Sequence, residues 1–300
     1  VPAPKTRVNP WLVMTVLTWG TNFAAIKEIY RDFSPQTTAL LRMVIMQVIL
    51  IAICAILKVP LRYTGRQDFG RLMLLGVISM GIYIIVFLIG MAQARAADAS
   101  ILISSSPIWV VLFGAVVRLE PWRPLSLVGA VIALGGIAVL VSTQHTGEQT
   151  TPLGALLLLS AAMIWAIGAL YGRVAGAGRD PLAVFTLSLP GSLPLLLVFA
   201  GNSISWEDLT SARWQTWGAM FHMAVLAGVL GFFGFFHGLK EEGPTRTLLY
   251  QFFVPPVALL AAALIAKEAI HPIQIVGLVT VITGVYIATR NPSQRVVPVK

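Results

Sequence analysis

Charge is the scarcest property of this chain. Only 11% of its 300 residues are Asp, Glu, Lys or Arg, and just 12 are acidic. A soluble domain carries about 25% charged residues, and a soluble helical protein needs polar outer faces that are missing here. Cysteine is almost absent too. Cys54 is the only one and lies inside an apolar run, which excludes disulfides and thiolate metal sites. The four histidines, His145, His222, His237 and His271, are scattered and form no ligand set or catalytic motif. No polar stretch is long enough for a separate soluble domain. No Asp or Glu stands near the centre of an apolar run. Neither a metal nor a cofactor is expected.

What is present is length of apolar sequence. The chain is 57% hydrophobic, and runs of about 20 apolar residues, each enough to cross a hydrocarbon core, recur from end to end. Spans are read at 11–30, 35–58, 69–92, 97–117, 124–143, 153–175, 181–201, 213–238, 243–266 and 272–290. Segments of that length in lipid are helices, because each backbone group must be satisfied within its own segment. The short polar N-terminus leads into a full-length span, so no cleavable signal peptide is expected.

The net charge of +9 points to membrane orientation, not to nucleic acid. Basic residues sit in short loops between spans rather than along one stripe. Sorted by alternate loops, fifteen fall on the side of both termini and five on the other, Lys27, Arg31, Arg95, Arg213 and Lys267; Arg42 is left inside a span. The positive-inside rule then places both termini in the cytoplasm of a multi-pass protein of the bacterial inner membrane. Trp11, Trp122, Trp206, Trp214 and Trp217 fall near span ends, where indole rings favour the headgroup layer.

The pattern comes twice. Pro107, Glu120, Gly129 and Gly136 recur 148 residues later as Pro255, Glu268, Gly277 and Gly284, and Trp19 and Pro35 recur 146 residues later as Trp165 and Pro181. Residues 1–146 and 147–300 are therefore read as two five-helix repeats. A duplicated unit with an odd number of spans inserts its second copy upside down, which is typical of secondary transporters with one site between the copies. The expected fold is an all-α membrane protein of ten transmembrane helices in two inverted five-helix repeats.

Two features carry a family resemblance. One is an Arg within the second span after a Pro-started helix, Pro35 to Arg42. The other is a Pro-then-Glu helix in each half, Ser106-Pro107-Ile108-Trp109 to Leu119-Glu120 and Val254-Pro255-Pro256 to Lys267-Glu268. With the ten-span layout, they resemble the EamA family of the drug/metabolite transporter superfamily over nearly the whole chain. Within it the chain is similar to exporters of aromatic and other neutral amino acids. The resemblance implies alternating access and a small-molecule substrate. One departure is that Ser188 stands at the repeat position of Arg42.

Substrate-binding candidates are Trp19, Asn22, Tyr83, Ser105, Trp109, Trp165, Tyr250 and Gln251. Trp19 and Trp165 lie mid-span at matching positions, and Trp19 shares a helix face with Thr15, Asn22 and Ile26. An indole and an amide together grip an apolar or aromatic solute by stacking and a hydrogen bond; a mid-span Trp equally well packs between helices. Asp98, Leu102, Ser105, Ser106 and Trp109 form a stripe on the fourth helix, matched on the ninth by Tyr250, Phe253 and Val257. Ser104 is read as bonding its own helix. Tyr83 needs a partner away from water and faces the bundle interior.

Gate or hinge candidates are Pro107, Pro255, Glu120, Glu268 and Arg42. Each proline removes a backbone donor in mid-helix, kinking it and freeing a carbonyl one turn earlier. Glu120 and Glu268 end their helices on opposite sides, where they cap neighbouring helix N-termini or pair with Arg123 and Lys267. For Arg42 the alternatives are a pairing with Glu28, Asp98 or helix carbonyls, or snorkelling to the outer surface.

An exporter of amino acids or similar small metabolites is the leading expectation. Facilitated movement is expected over proton antiport, since no buried mid-span carboxylate is available to carry a proton. A hydrophobic-cation exporter of the same superfamily is the alternative, and an integral-membrane enzyme or a channel are alternatives of other classes. No nucleic-acid partner is expected beside the lipid bilayer, and a monomer is the expected state; the glycines around Gly129 and Gly136 permit close helix contact within or between chains.

Overall fold

The computed structural model describes residues 8–119, 124–142, 150–235, 237–238, 250–251 and 253–289. Among these, every regular element is a helix. In chain order the main helices are α1 (Pro10–Ile29), α2 (Pro35–Ile56), α3 (Arg66–Ala92), α4 (Ala96–Val116), α5 (Pro124–Ser142), α6 (Pro152–Ala175), α7 (Pro181–Ala200), α8 (Trp214–Phe235), α9 (Val254–Leu264) and α10 (Pro272–Thr289). Six of them, α2, α3, α4, α6, α7 and α8, are long and apolar enough to cross a membrane. Outward-facing Val48, Val131, Val198, Leu260 and Val279 are all more than half exposed, as a lipid-facing surface requires. The first part of the segment read at 243–266 lies outside the described residues, as do Trp122 and Glu120. A short helix not read from the sequence, Trp206–Ser211, is capped by Ser205 and precedes α8.

Helix starts are written locally. Asn9-Pro10, Ser34-Pro35, Thr151-Pro152 and Asp180-Pro181 each place a capping side chain before a proline at the first helical position. The cap oxygen takes an orphan backbone N–H, and proline has none to satisfy.

Both third helices of the two matching sequence halves depart from α geometry. A π-helical stretch runs Val77–Ile82 in α3 and His222–Leu230 in α8. Such stretches release carbonyls from the regular ladder. The Ala227 carbonyl in the second stretch accepts the Trp19 indole N–H at 2.9 Å.

The glycines repeated in α5 and α10 meet each other. A Cβ on Gly136 would stand 2.8 Å from Thr280 Cβ and 3.3 Å from the Gly277 carbonyl oxygen; one on Gly284 would stand 2.6 Å from the Gly129 carbonyl oxygen. Gly136 thus faces Gly277 while Gly284 faces Gly129, a reciprocal contact of the kind a two-fold relation produces. Rising numbers in one helix meet falling numbers in the other, so α5 and α10 run antiparallel. Close approach here lies within the chain.

At one end of the bundle five helix connections converge through polar contacts. Arg213 binds Asp32 at 3.0 Å and Glu28 at 3.3 Å. Lys27 and Tyr30 donate to the Met91 and Leu88 carbonyls. Thr150 and Gln274 both donate to the Asp98 carboxylate at 2.6 Å. Glu268 accepts from the Ala96 and Ala97 backbone N–H groups at 2.8 and 3.2 Å and lies 3.9 Å from Arg95. Its partner across this end is Arg95, not Lys267, and it caps the N-terminus of α4 where the dipole favours a carboxylate.

Asp32 lies in the connection after α1. The Thr216 hydroxyl first, then the Arg213 backbone N–H and guanidinium, hold its carboxyl below the ordinary range, against the opposing effect of burial. A depressed folded value means the stabilisation is full above the unfolded value of about 3.9 and is lost as pH falls through the folded one. Thermal unfolding of the purified protein from pH 7 to pH 3 should show a falling melting temperature at the acid end. Asp32→Asn should lower the pH 7 value and flatten that slope.

Candidate functional site

Between the helices lies a cavity of about 980 Å³, open space at its mouth included. α1 contributes Trp19, Asn22 and Phe23, α2 contributes Arg42, and α3 contributes Met80, Tyr83, Ile84 and Phe87. Ile103, Ser104, Ser106 and Pro107 of α4 face it, with Trp165 of α6 and Ala227 and Phe232 of α8. Gln251, then Val254 and Pro255 of α9 and Val281, Ile282 and Val285 of α10, complete the wall.

Aromatic rings form a continuous arc across it. Trp19 packs edge-on against Phe232 with centroids 5.2 Å apart, and Phe232 lies 5.8 Å from Trp165. Trp165 lies 5.1 Å from Tyr83, which stacks on Phe87 at 5.6 Å; Phe87 meets Phe23 edge-on at 6.1 Å. Ring faces carry partial negative charge and take apolar or aromatic solutes. α1 reaches α8 closely because Gly231 stands against Trp19, where a Cβ would lie 2.5 Å from Nε1.

The two tryptophans read as a matching pair differ in chemistry. The Trp19 N–H is taken by the Ala227 carbonyl, so Trp19 offers the cavity a ring and no donor. The Trp165 N–H has no hydrogen-bond partner among the described residues.

Arg42 is buried, only 6% exposed, and it lines the cavity. It does not snorkel, and it pairs with neither carboxylate expected for it. Glu28 is held by Arg31 at 3.2 Å and by Arg213, while Asp98 is held by Thr150 and Gln274. Among the described residues the guanidinium has no hydrogen bond and no ion pair. Among the described residues no Asp or Glu lines the cavity.

Several expected residues fall elsewhere. Ser105 is fully buried, donates to the Leu102 carbonyl at 2.7 Å and accepts the Trp109 N–H at 3.3 Å. Trp109 packs on Phe113 instead of the cavity. The Tyr250 hydroxyl accepts the Asn9 backbone N–H at 3.0 Å, tying the start of α1 to the chain before α9. Asp98 lies in the polar cluster at the bundle end, and Glu268 caps α4 there.

One physical cause moves Ser105, Trp109 and Tyr250. Ahead of each proline the backbone tightens: Ser105 N–H bonds the Leu102 carbonyl, and Phe253 N–H bonds that of Tyr250, each three residues back. The tighter turn rotates the stripe drawn on a regular helix, so Ser104 and Ser106 face the cavity instead. Ile103 and Gln251, one turn before Pro107 and Pro255, line it as well, and both prolines are themselves in the wall. Phe23, Phe87 and Phe232 were not singled out from the sequence as site residues. Phe232 carried a signal, standing between Gly231 and Gly234 in a glycine-rich helix.

Known proteins resemble this chain along most of its length. An uncharacterized transporter of Archaeoglobus fulgidus is 26% identical over 95% of this chain and 100% of its own. A protein of Escherichia coli (strain K12) named "probable amino-acid metabolite efflux pump" is 27% identical over 92% of each. A "probable terminal-alkyne amino-acid exporter" of Streptantibioticus cattleyicolor is 25% identical over 93% of this chain and 92% of its own. A crystal structure at 19% identity has the same fold, with a TM-score of 0.65 over 93% of this chain and 95% of that one. The EamA-like transporter family matches residues 7–142 and again residues 152–290. Those two stretches contain every residue that lines the cavity, and a multi-pass membrane protein built this way belongs to the EamA-like transporter family.

Proposed function

We propose that this protein exports amino acids, aromatic and other neutral ones, by facilitative alternating access through this cavity. The observation that carries the reading is the aromatic arc, which draws its rings from both family-matched stretches and so spans the two halves that must move against each other. Ten spans in two inverted repeats, 1–146 and 147–300, with both termini in the cytoplasm, accord with the antiparallel, reciprocal packing of α5 and α10 and with the basic loops. Trp19, Tyr83, Trp165 and Gln251 hold the substrate in this reading. The tightened turns at Pro107 and Pro255 are the hinges, and the cluster around Glu268 and Arg95 closes the outer end. A hydrophobic-cation exporter would use the same rings, but the charge facing this cavity is positive. Two relatives named for amino-acid efflux or export support the substrate class.

In proteoliposomes, labelled phenylalanine uptake should saturate, show counterflow and proceed without a pH gradient. Linear, unsaturable flux would indicate a channel. Strict dependence on the gradient would replace facilitation with proton coupling.

A further inference from the structure

Among the described residues, two polar atoms in the cavity wall are left without partners. Arg42 Nε and Asn22 Oδ1 are both buried and unbonded. Leaving a buried acceptor unsatisfied costs about 1–3 kcal/mol, and an uncompensated buried charge costs more. Both side chains line the same cavity, on α2 and α1. Arg42 is its one charged side chain among the described residues, and the Tyr30 and Tyr83 hydroxyls lie within electrostatic range of the guanidinium. At the repeat position the second half carries no charge: Ser188 there donates to the Phe185 carbonyl and packs against Gly76. Among the described residues the cavity therefore has a single cationic pole.

The two vacancies are complementary. Arg42 is a cationic donor that wants an anion, and Asn22 Oδ1 is a neutral acceptor that wants a donor. An α-amino acid carries a carboxylate and an ammonium on one carbon. We propose that Arg42 and Asn22 form the head-group subsite of the cavity: the Arg42 guanidinium takes the α-carboxylate, and Asn22 Oδ1 accepts from the α-ammonium. The side chain of the amino acid then lies along Tyr83, Trp165 and Phe232. This assignment rests on the cavity being the transport site. It changes the role of Arg42 from gate to ligand and specifies the substrate by its zwitterion. An amine without a carboxylate leaves Arg42 uncompensated, and a carboxylic acid without an amine leaves the Asn22 oxygen bare. A phosphate ester would want more than one cation.

The test uses the full chain in proteoliposomes, with labelled phenylalanine counterflow inhibited by phenylalanine, 2-phenylethylamine or 3-phenylpropionate. Phenylalanine should inhibit at concentrations about ten- to a hundredfold lower than either analogue, the range of one charge-assisted hydrogen bond. In Arg42→Gln the advantage over 2-phenylethylamine should fall to within about threefold while that over 3-phenylpropionate persists. In Asn22→Leu the pattern should reverse. A purely structural role would weaken all three ligands together and leave the ratios unchanged, which would overturn the assignment. Where a variant does not fold, the wild-type ratios decide: saturable phenylalanine counterflow inhibited equally by all three compounds overturns the subsite but leaves the exporter standing. Absence of phenylalanine counterflow overturns both.

Discussion

Gly76→Val is expected to leave no folded protein in detergent. A Cβ at Gly76 would stand 2.8 Å from the Ser188 carbonyl carbon and closer still to its oxygen, and one at Gly191 would stand 2.8 Å from two backbone atoms of Met73. The α3–α7 crossing is thus backbone against backbone, from both sides. Flexible side chains yield to an added methyl; backbone does not, short of separating the two helices. Two more carbons at Gly76 bring the cost above about 3 kcal/mol, beyond ordinary overpacking. That is a large share of the about 5–15 kcal/mol that holds a domain together. Fluorescence-detected size exclusion should show an aggregate in place of a monodisperse peak. Gly70→Ala, in the same helix with no atom within 4 Å of the added Cβ, should run like wild type. A normal Gly76→Val peak would mean that the close crossing is not maintained in the membrane protein.

Trp165→Ala should raise the half-saturating phenylalanine concentration by about thirtyfold or more, the effect of removing an aromatic hot spot worth about 2 kcal/mol or more. Trp165 meets Tyr83 on one side and Phe232 on the other, so its loss breaks the arc between the halves. Trp19→Ala should also weaken recognition. The phenylalanine variants separate the two residues. Trp165→Phe loses a donor that has no partner among the described residues, and the change should appear in substrate affinity. Trp19→Phe leaves the buried Ala227 carbonyl without its bond, and the change should appear in melting temperature. Saturation curves and thermal unfolding of the four variants check this. Unchanged transport in both alanine variants would move the substrate site away from the arc.

Much of this protein was legible without coordinates. Hydropathy gave the segment lengths, since lipid permits little else to span it. The span starts read at 11, 35, 153 and 181 fall within one residue of the helix starts at Pro10, Pro35, Pro152 and Pro181, because a cap is decided within three or four residues. The recurrence of Gly129, Gly136 and Pro107 pointed to two copies, and Trp19, Asn22, Tyr83, Trp165 and Gln251 all reached the cavity wall.

Ser105, Trp109 and Tyr250 did not, because facing is a matter of helical phase. One residue is about 100° of rotation, and the tight turns before Pro107 and Pro255 shift that phase with no signal in composition. The sequence by itself determined the membrane class, the helix starts and the repetition, all set by transfer from water and by hydrogen bonds between near neighbours. Only the tertiary structure decided that the Trp19 N–H is taken by a backbone carbonyl and whether Arg42 meets a carboxylate. Those outcomes depend on groups far away in the chain, Ala227 for Trp19 and Arg213 for Glu28, which local chemistry does not bring together.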